Sequence, residues 1–202
     1  LKASHILWIN LITDSLPALA LGMDTNDGRR LMEEPPRSSE ESLFSNGGLS
    51  CTLFYGFLIA VISLTAFLLL PVRLLVSGGS GVTMEGLKLL LEDAGLLSRC
   101  QTYAFTVLGL SQLFHAVGMR DVSRSVFRMR PFENRLMVAA ASVGAALQVM
   151  VTELPVMISM FRTTALTGAE WGQLLILSAF PLAAHELFIL LSKLSKLPKP
   201  EK

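Results

Sequence analysis

The sequence has little of what a disulfide-built, metal-clustered or nucleic-acid-binding protein needs. Two of its 202 residues are cysteine, Cys51 and Cys100. Two thiols are too few for a metal site. The topology derived below also separates them by about a membrane thickness, which excludes a disulfide. The charges nearly cancel: 17 Lys and Arg against 16 Asp and Glu leave a net charge of +1, which argues against a nucleic-acid partner. No internal repeat stands out. The glycine run Gly78-Gly79-Ser80-Gly81 lacks the Lys-Ser/Thr ending and the strand-to-helix setting of a phosphate-cradling loop, and it reads as a linker. Position 1 is Leu1 rather than Met, and the first apolar segment lacks a signal-peptide cleavage pattern. The missing initiator predicts a piece of a longer chain.

What the sequence does have is apolar surface. Hydrophobic residues make up 51% of it and the mean hydropathy is +0.54, more than a soluble domain of this size carries. Five stretches approach the roughly 20 residues that cross a bilayer: about 4–23, 50–70, 102–119, 136–152 and 171–191. The expected fold class is therefore all-α: one polytopic membrane helix bundle of five transmembrane helices over residues 1–202, with the lipid bilayer as partner. Trp8 and Trp171 suit interfacial positions.

Charge orients the bundle. The loops 24–49 and 120–135 and the carboxy-terminal tail fall on one side, and they hold 12 of the 17 Lys and Arg residues. Lys2, Arg73, Lys88, Arg99 and Arg162 fall on the other. The positive-inside rule makes the tail cytoplasmic and turns residue 1 outward. In the outer loop, 71–101, the spacing of Leu87, Leu90, Leu91 and Leu97 predicts a short surface helix over Val82 to Leu97.

The first span carries the chemistry. Asn10, Thr13 and Asp14 stand at i, i+3 and i+4, which places their oxygens on one helix face. An ionised Asp at mid-membrane costs roughly 2.5–3.5 kcal/mol on insertion scales. A bound cation offsets that cost, and hard cations take this inventory of carboxylate, amide and carbonyl oxygens. Pro17 has no N–H, so the Thr13 carbonyl four residues earlier loses its helical partner. Broken backbone at that depth is tolerated where it lines a cavity. The competing account is a polar interhelical contact beside a proline kink.

The run Trp8-x-Asn10-Leu11-x-Thr13-Asp14-x-Leu16-Pro17-Ala18-x-Ala20-Leu21-Gly22 resembles the sixth transmembrane helix of calcium-type P-type ATPases of the bacterial plasma-membrane kind. Glu33-Glu34-Pro35-Pro36-Arg37 is similar to that family's cytoplasmic loop. The likeness continues through Ala104–Met119, Arg128-Met129-Arg130-Pro131-Phe132 and the last two spans. It implies helices six to ten of a ten-helix membrane domain in a pump that exports Ca2+ across the plasma membrane. Asn10 and Asp14 are then ion ligands, with Thr13 next. In the resemblance, Gln112 takes the helix-eight position where two-ion pumps carry a carboxylate, so one ion per cycle is expected. An interhelical hydrogen bond remains open for Gln112. Glu33, Glu34, Pro35, Pro36 and Arg37 are expected to help couple the membrane helices to the phosphorylation domain, or to form a solvated linker.

No Asp-Lys-Thr-Gly-Thr phosphorylation motif occurs. ATP and Mg2+ would act only through cytoplasmic domains outside this chain, and helices one to five, which complete the ion site, would be its partner. The chain alone is expected neither to hydrolyse ATP nor to bind calcium tightly. The alternatives are a pump for Mn2+, Na+ or K+, and a stand-alone, non-enzymatic bundle or channel. His115, one turn after Gln112, is expected in a hydrogen-bonded packing role, Glu153 in the outer turn after span four, and His185 and Glu186 as a structural pair deep in span five.

Overall fold

A computed structural model describes residues 1–23, 42, 44–45, 47–79, 81–121, 124–129 and 134–195. No strand forms among the described residues. The first apolar stretch is α1 (Ala3–Trp8), a π-helical segment (Ile9–Thr13) and α2 (Ser15–Gly22). Then come α3 (Gly48–Ser77), α4 (Met84–Leu91), α5 (Ala94–Gly118), a 3-10 turn (Val126–Arg128), α6 (Arg135–Glu153), α7 (Pro155–Phe161), α8 (Gly168–Ser178) and α9 (Phe180–Ser195). The expected coupling residues Glu33, Glu34, Pro35, Pro36 and Arg37 lie outside the described residues. So do Arg130, Pro131 and Phe132 of the family likeness, and the tail lysines Lys196, Lys199 and Lys202.

The architecture is a membrane helix bundle built around α5. Helices α3, α6, α8 and α9 and the interrupted first helix all pack against it. Its residues from Thr102 to Val107 are buried on every side, as expected of a helix with no solvent or lipid face. Buried hydroxyls then need internal partners, and they find carbonyls one turn back. Thr102 Oγ1 donates to Ser98 O at 2.9 Å and Ser111 Oγ to Leu108 O at 3.0 Å. Close approach to α6 uses a small residue: a Cβ on Gly144 would lie 2.9 Å from Leu113 Cδ2.

Among the described residues, three helices are long and apolar enough to cross a membrane: Gly48–Ser77, Arg135–Glu153 and Gly168–Lys193, the last combining α8 with most of α9. The first stretch is not counted among them because its helix is interrupted. Helix α5 is long enough but is diluted by hydroxyl and amide residues, which neighbouring helices rather than lipid surround.

The region between the second and third spans needs a correction. Helix α3 passes through Pro71 and ends at Ser77, because the bundle tolerates the single lost N–H near a helix end. The expected surface helix over Val82 to Leu97 is two helices. Thr83 Oγ1 caps α4 by accepting from Gly86 N at 3.1 Å, and Asp93 Oδ1 opens α5 by accepting from Leu96 N at 2.6 Å. Gly79 takes φ +70° in the turn after α3, a conformation that glycine adopts without strain. Cys51 and Cys100 are both free thiols.

Asn134 ties two elements together. Its Oδ1 caps α6 by accepting from Met137 N at 2.8 Å, while its Nδ2 donates to Ala20 O at the end of α2, at 2.9 Å. Asn134→Ala is expected to lower stability by about 1–2 kcal/mol, read as a lower thermal unfolding midpoint of the purified intact protein.

Candidate functional site

The first span is bolted down before it breaks. His5 is fully buried, stacked on Phe105 of α5 with ring centroids 4.5 Å apart, and its Nε2 meets Phe161 O at 2.9 Å. Trp8 packs edge-on against Phe161 at 5.0 Å. Beyond Trp8 the ladder widens: Asp14 N donates to Ile9 O, five residues back, at 3.0 Å. This is a π-helical turn, which inserts an extra residue into the helix. Helix α2 starts afresh at Ser15, and Pro17 falls in its first turn, where a missing N–H is tolerated. Hydroxyls serve carbonyls of the widened turn. Thr13 Oγ1 donates to Ile9 O at 2.8 Å and Ser15 Oγ to Asn10 O at 3.2 Å.

The break therefore occurs, but it corrects the expected geometry. Asn10, Thr13 and Asp14 do not share one face. The π turn rotates Thr13 inward, where it is fully buried, and leaves Asn10 and Asp14 exposed. Thr13 Oγ1 lies 3.4 Å from Gln112 Oε1 on α5. An open cavity of about 450 Å³ between the first span, α3 and α5 is lined by Thr13, Asp14, Pro17 and Gln112, with Tyr55 and His115 beside them. The structure thus brings Thr13, Asp14 and Gln112 to one cavity and leaves Asn10 outside its lining. His115 shares the Gln112 face as expected. Its ring packs on Tyr55, with centroids 4.3 Å apart.

No group of three or more His, Cys, Asp or Glu side chains gathers among the described residues. Among the described residues, Asp14 is the one carboxylate lining this cavity. It offers a cation one charged ligand, a hydroxyl and an amide. That is part of the six to eight oxygens a calcium ion takes.

Behind Thr13 stands a residue the sequence reading passed over. Gln148 of α6 is fully buried; its Nε2 donates to Thr106 Oγ1 at 3.4 Å, and its Oε1 has no partner. Gly109 makes room for it: a Cβ there would lie 3.0 Å from Gln148 Oε1 and 3.7 Å from Thr13 Cγ2. The one mark of Gln148 in the sequence is that of a lone amide inside the apolar run 136–152, whereas Gln112 is picked out by the family resemblance. Gly109→Ala is expected to push Gln148 and Thr13 apart and cost about 1–2 kcal/mol. Thermal unfolding of Gly109→Ala, Gln148→Ala and the double variant checks it, since the contact predicts a non-additive double.

The remaining sequence candidates are structural. Glu153 ends α6, where its Oε1 accepts from Trp171 Nε1 at 2.9 Å and Leu166 N at 3.3 Å. His185 and Glu186 do not pair with each other. His185 Nε2 meets Arg124 O at 3.2 Å, and Glu186 Oε1 accepts from Val126 N at 2.6 Å, so both hold the turn after α5.

The chain is thus an all-α membrane bundle in which a polar cavity adjoins a broken helix. Comparison with known sequences narrows the class. Residues 1–191 match the family described as cation transporting ATPase, C-terminus, and the chain belongs to it. It is 38% identical over 193 residues to Calcium-transporting ATPase 1 of Bacillus cereus, covering 96% of this chain and 21% of that protein. It is 33% identical over 177 residues to Calcium-transporting ATPase of Bacillus subtilis, covering 88% and 18%. A third relative, Calcium-transporting ATPase 1 of Schizosaccharomyces pombe, is 28% identical over 152 residues, covering 74% and 15%. The chain thus spans about a fifth of the length of the curated relatives it matches.

Proposed function

We propose that this chain is the ion-binding membrane part of an ATP-driven pump that exports Ca2+ from the cytoplasm across the plasma membrane, one ion per cycle. The observation that carries the reading is the meeting of Thr13, Asp14 and Gln112 in one cavity beside the π-helical break. Asp14 is the charged ligand, Thr13 and Gln112 are neutral oxygen ligands, and Asn10 joins from the exposed side of the same turn. The exposure of Asn10 and Asp14 at membrane depth supports a site completed by upstream helices of the parent protein, because bare polar groups facing lipid are costly. ATP and Mg2+ act through the parent's cytoplasmic domains, and the carboxy terminus lies in the cytoplasm.

Two features support one ion over two: Gln112 carries no charge, and among the described residues Asp14 is the one carboxylate in the cavity. The test is the ATPase activity of the intact parent protein against calcium, manganese, sodium and potassium. Activation by micromolar calcium with a Hill coefficient near one is expected. Activation by sodium or potassium alone overturns the calcium reading, and a coefficient near two overturns the stoichiometry.

A further inference from the structure

The turn after α5 holds a feature that ion transport does not use. Phe127 is 85% exposed, although the backbone on either side of it is firmly held. Val126 N is bonded to Glu186, Arg124 O to His185, and Arg128 N donates to Ser125 O at 2.9 Å. His185 is itself locked in place, packed against Gly118 of α5 and 2% exposed. A mobile loop would let a phenylalanine fold back onto the bundle. This one is held outward.

The depth of the turn follows from the helix that holds it. Helix α8 begins beside the Thr167, Glu170 and Arg99 cluster, which marks one membrane boundary. From Gly168 to Glu186 the chain rises about 27 Å at roughly 1.5 Å per residue, against a hydrocarbon core of about 30 Å. Glu186 therefore lies toward the opposite boundary, within two turns of Lys193, where that span ends. The turn bonded to it lies at headgroup level. Along the sequence from 120 to 135 the charge is basic: Arg120, Arg124, Arg128, Arg130 and Arg135 against Asp121 and Glu133. Arg124 Nε forms an ion pair with Asp121 Oδ2 at 3.2 Å, yet the Arg124 side chain stays 57% exposed.

We infer that residues 124–128 form an interfacial anchor, with Phe127 set into the acyl boundary and Arg124 and Arg128 binding the phosphate of an anionic phospholipid. An apolar side chain flanked by cations is the chemistry that selects an anionic bilayer surface. Phe127 supplies the area buried in lipid, and each guanidinium near the surface adds to the preference for negative headgroups. The anchor would fix the carboxyl end of α5, which carries Gln112, to the membrane plane. The inference stands apart from the identity of the transported ion.

The test uses the intact parent protein in nanodiscs of phosphatidylcholine with a third of phosphatidylglycerol. A p-benzoylphenylalanine installed in place of Phe127 is photoactivated, and its adducts are weighed by mass spectrometry. Lipid adducts are expected, with phosphatidylglycerol making up about two thirds of them or more, at least about twice its share of the bilayer. Arg124→Gln with Arg128→Gln is expected to return the adducts to bilayer proportions. Arg73→Gln with Lys88→Gln, which removes the same charge from the other side, is expected to keep the enrichment. Adducts to the protein's own cytoplasmic part, or adducts in bilayer proportions from the unaltered arginines, overturn the inference. The adducts are read without calcium or ATP, so either result leaves the ion reading to its own test.

Discussion

Asp14→Asn in the intact protein is expected to abolish calcium-dependent phosphorylation by ATP while leaving the protein folded and membrane-inserted. Asparagine keeps the shape of aspartate and one oxygen acceptor, so packing around the π turn is preserved. What it removes is the negative charge that Asp14 brings to the cavity. Affinity of oxygen-ligand sites for calcium follows the number of charged ligands and the rigidity that presents them. Loss of the charged ligand on this wall is expected to weaken apparent calcium affinity by about a hundredfold or more. Phosphorylation of the membrane preparation by labelled ATP, titrated with calcium, reads this directly. Calcium-dependent phosphorylation at unchanged affinity would remove Asp14 from the site. Asn10→Ala is expected to act more weakly, because Asn10 lies outside the cavity lining and reaches the ion only if upstream helices close the exposed side. The pair of variants thus tests the rotation made by the π turn as well as the assignment of the ligand.

That rotation is the part of the site the sequence could not reveal. Positions 10, 13 and 14 carry the same residues in an α-turn and in a π-turn, and only packing decides between them. Here His5 stacked on Phe105 and Trp8 set against Phe161 hold the amino end of the helix, while Pro17 excludes an unbroken ladder. The break was legible from Pro17, and its form was not. The bundle itself was legible because lipid demands long apolar runs. Its central helix was harder to delimit. Ser98, Arg99 and Gln101 dilute the first turns of α5, and the start at Ala94 is set by one capping residue, Asp93. A helix enclosed by protein carries no compositional mark of where it enters the membrane. Gln148 escaped notice for the opposite reason: a lone amide in an apolar stretch gives no spacing to read, and its significance lies in Gly109, distant in sequence and adjacent in space.

Glu170→Ala is expected to be the most destabilising single change in the bundle outside its apolar core. Glu170 Oε1 accepts from Arg99 Nη2 at 2.5 Å, from Arg99 Nε at 3.0 Å and from the Tyr103 hydroxyl. Its Oε2 accepts from Thr167 N at 2.7 Å and Thr167 Oγ1 at 2.8 Å, completing the capping box that starts α8. One carboxylate therefore joins the amino ends of α5 and α8. Its removal leaves the Arg99 guanidinium and a Tyr103 that is 1% exposed without their acceptor. Unmet buried donors cost about 1–3 kcal/mol each, and a lost cap about 1 kcal/mol more. Arg99 is 38% exposed at its side chain, so solvent takes up part of its loss, and the expected total is about 2–4 kcal/mol. Arg73 gives the contrast: its contact with Gln173 is exposed and 3.5 Å long, and Arg73→Ala is expected to change stability by less than about 0.5 kcal/mol. Thermal unfolding of the intact protein in detergent compares the two. Glu170→Gln separates charge from shape, because its amide oxygen still accepts from Tyr103 while the charge facing Arg99 is gone. An intermediate midpoint is expected for it. A Glu170→Ala midpoint equal to that of Arg73→Ala would mean that the junction of α5 and α8 rests on apolar packing around Tyr103 and Leu174 rather than on this carboxylate.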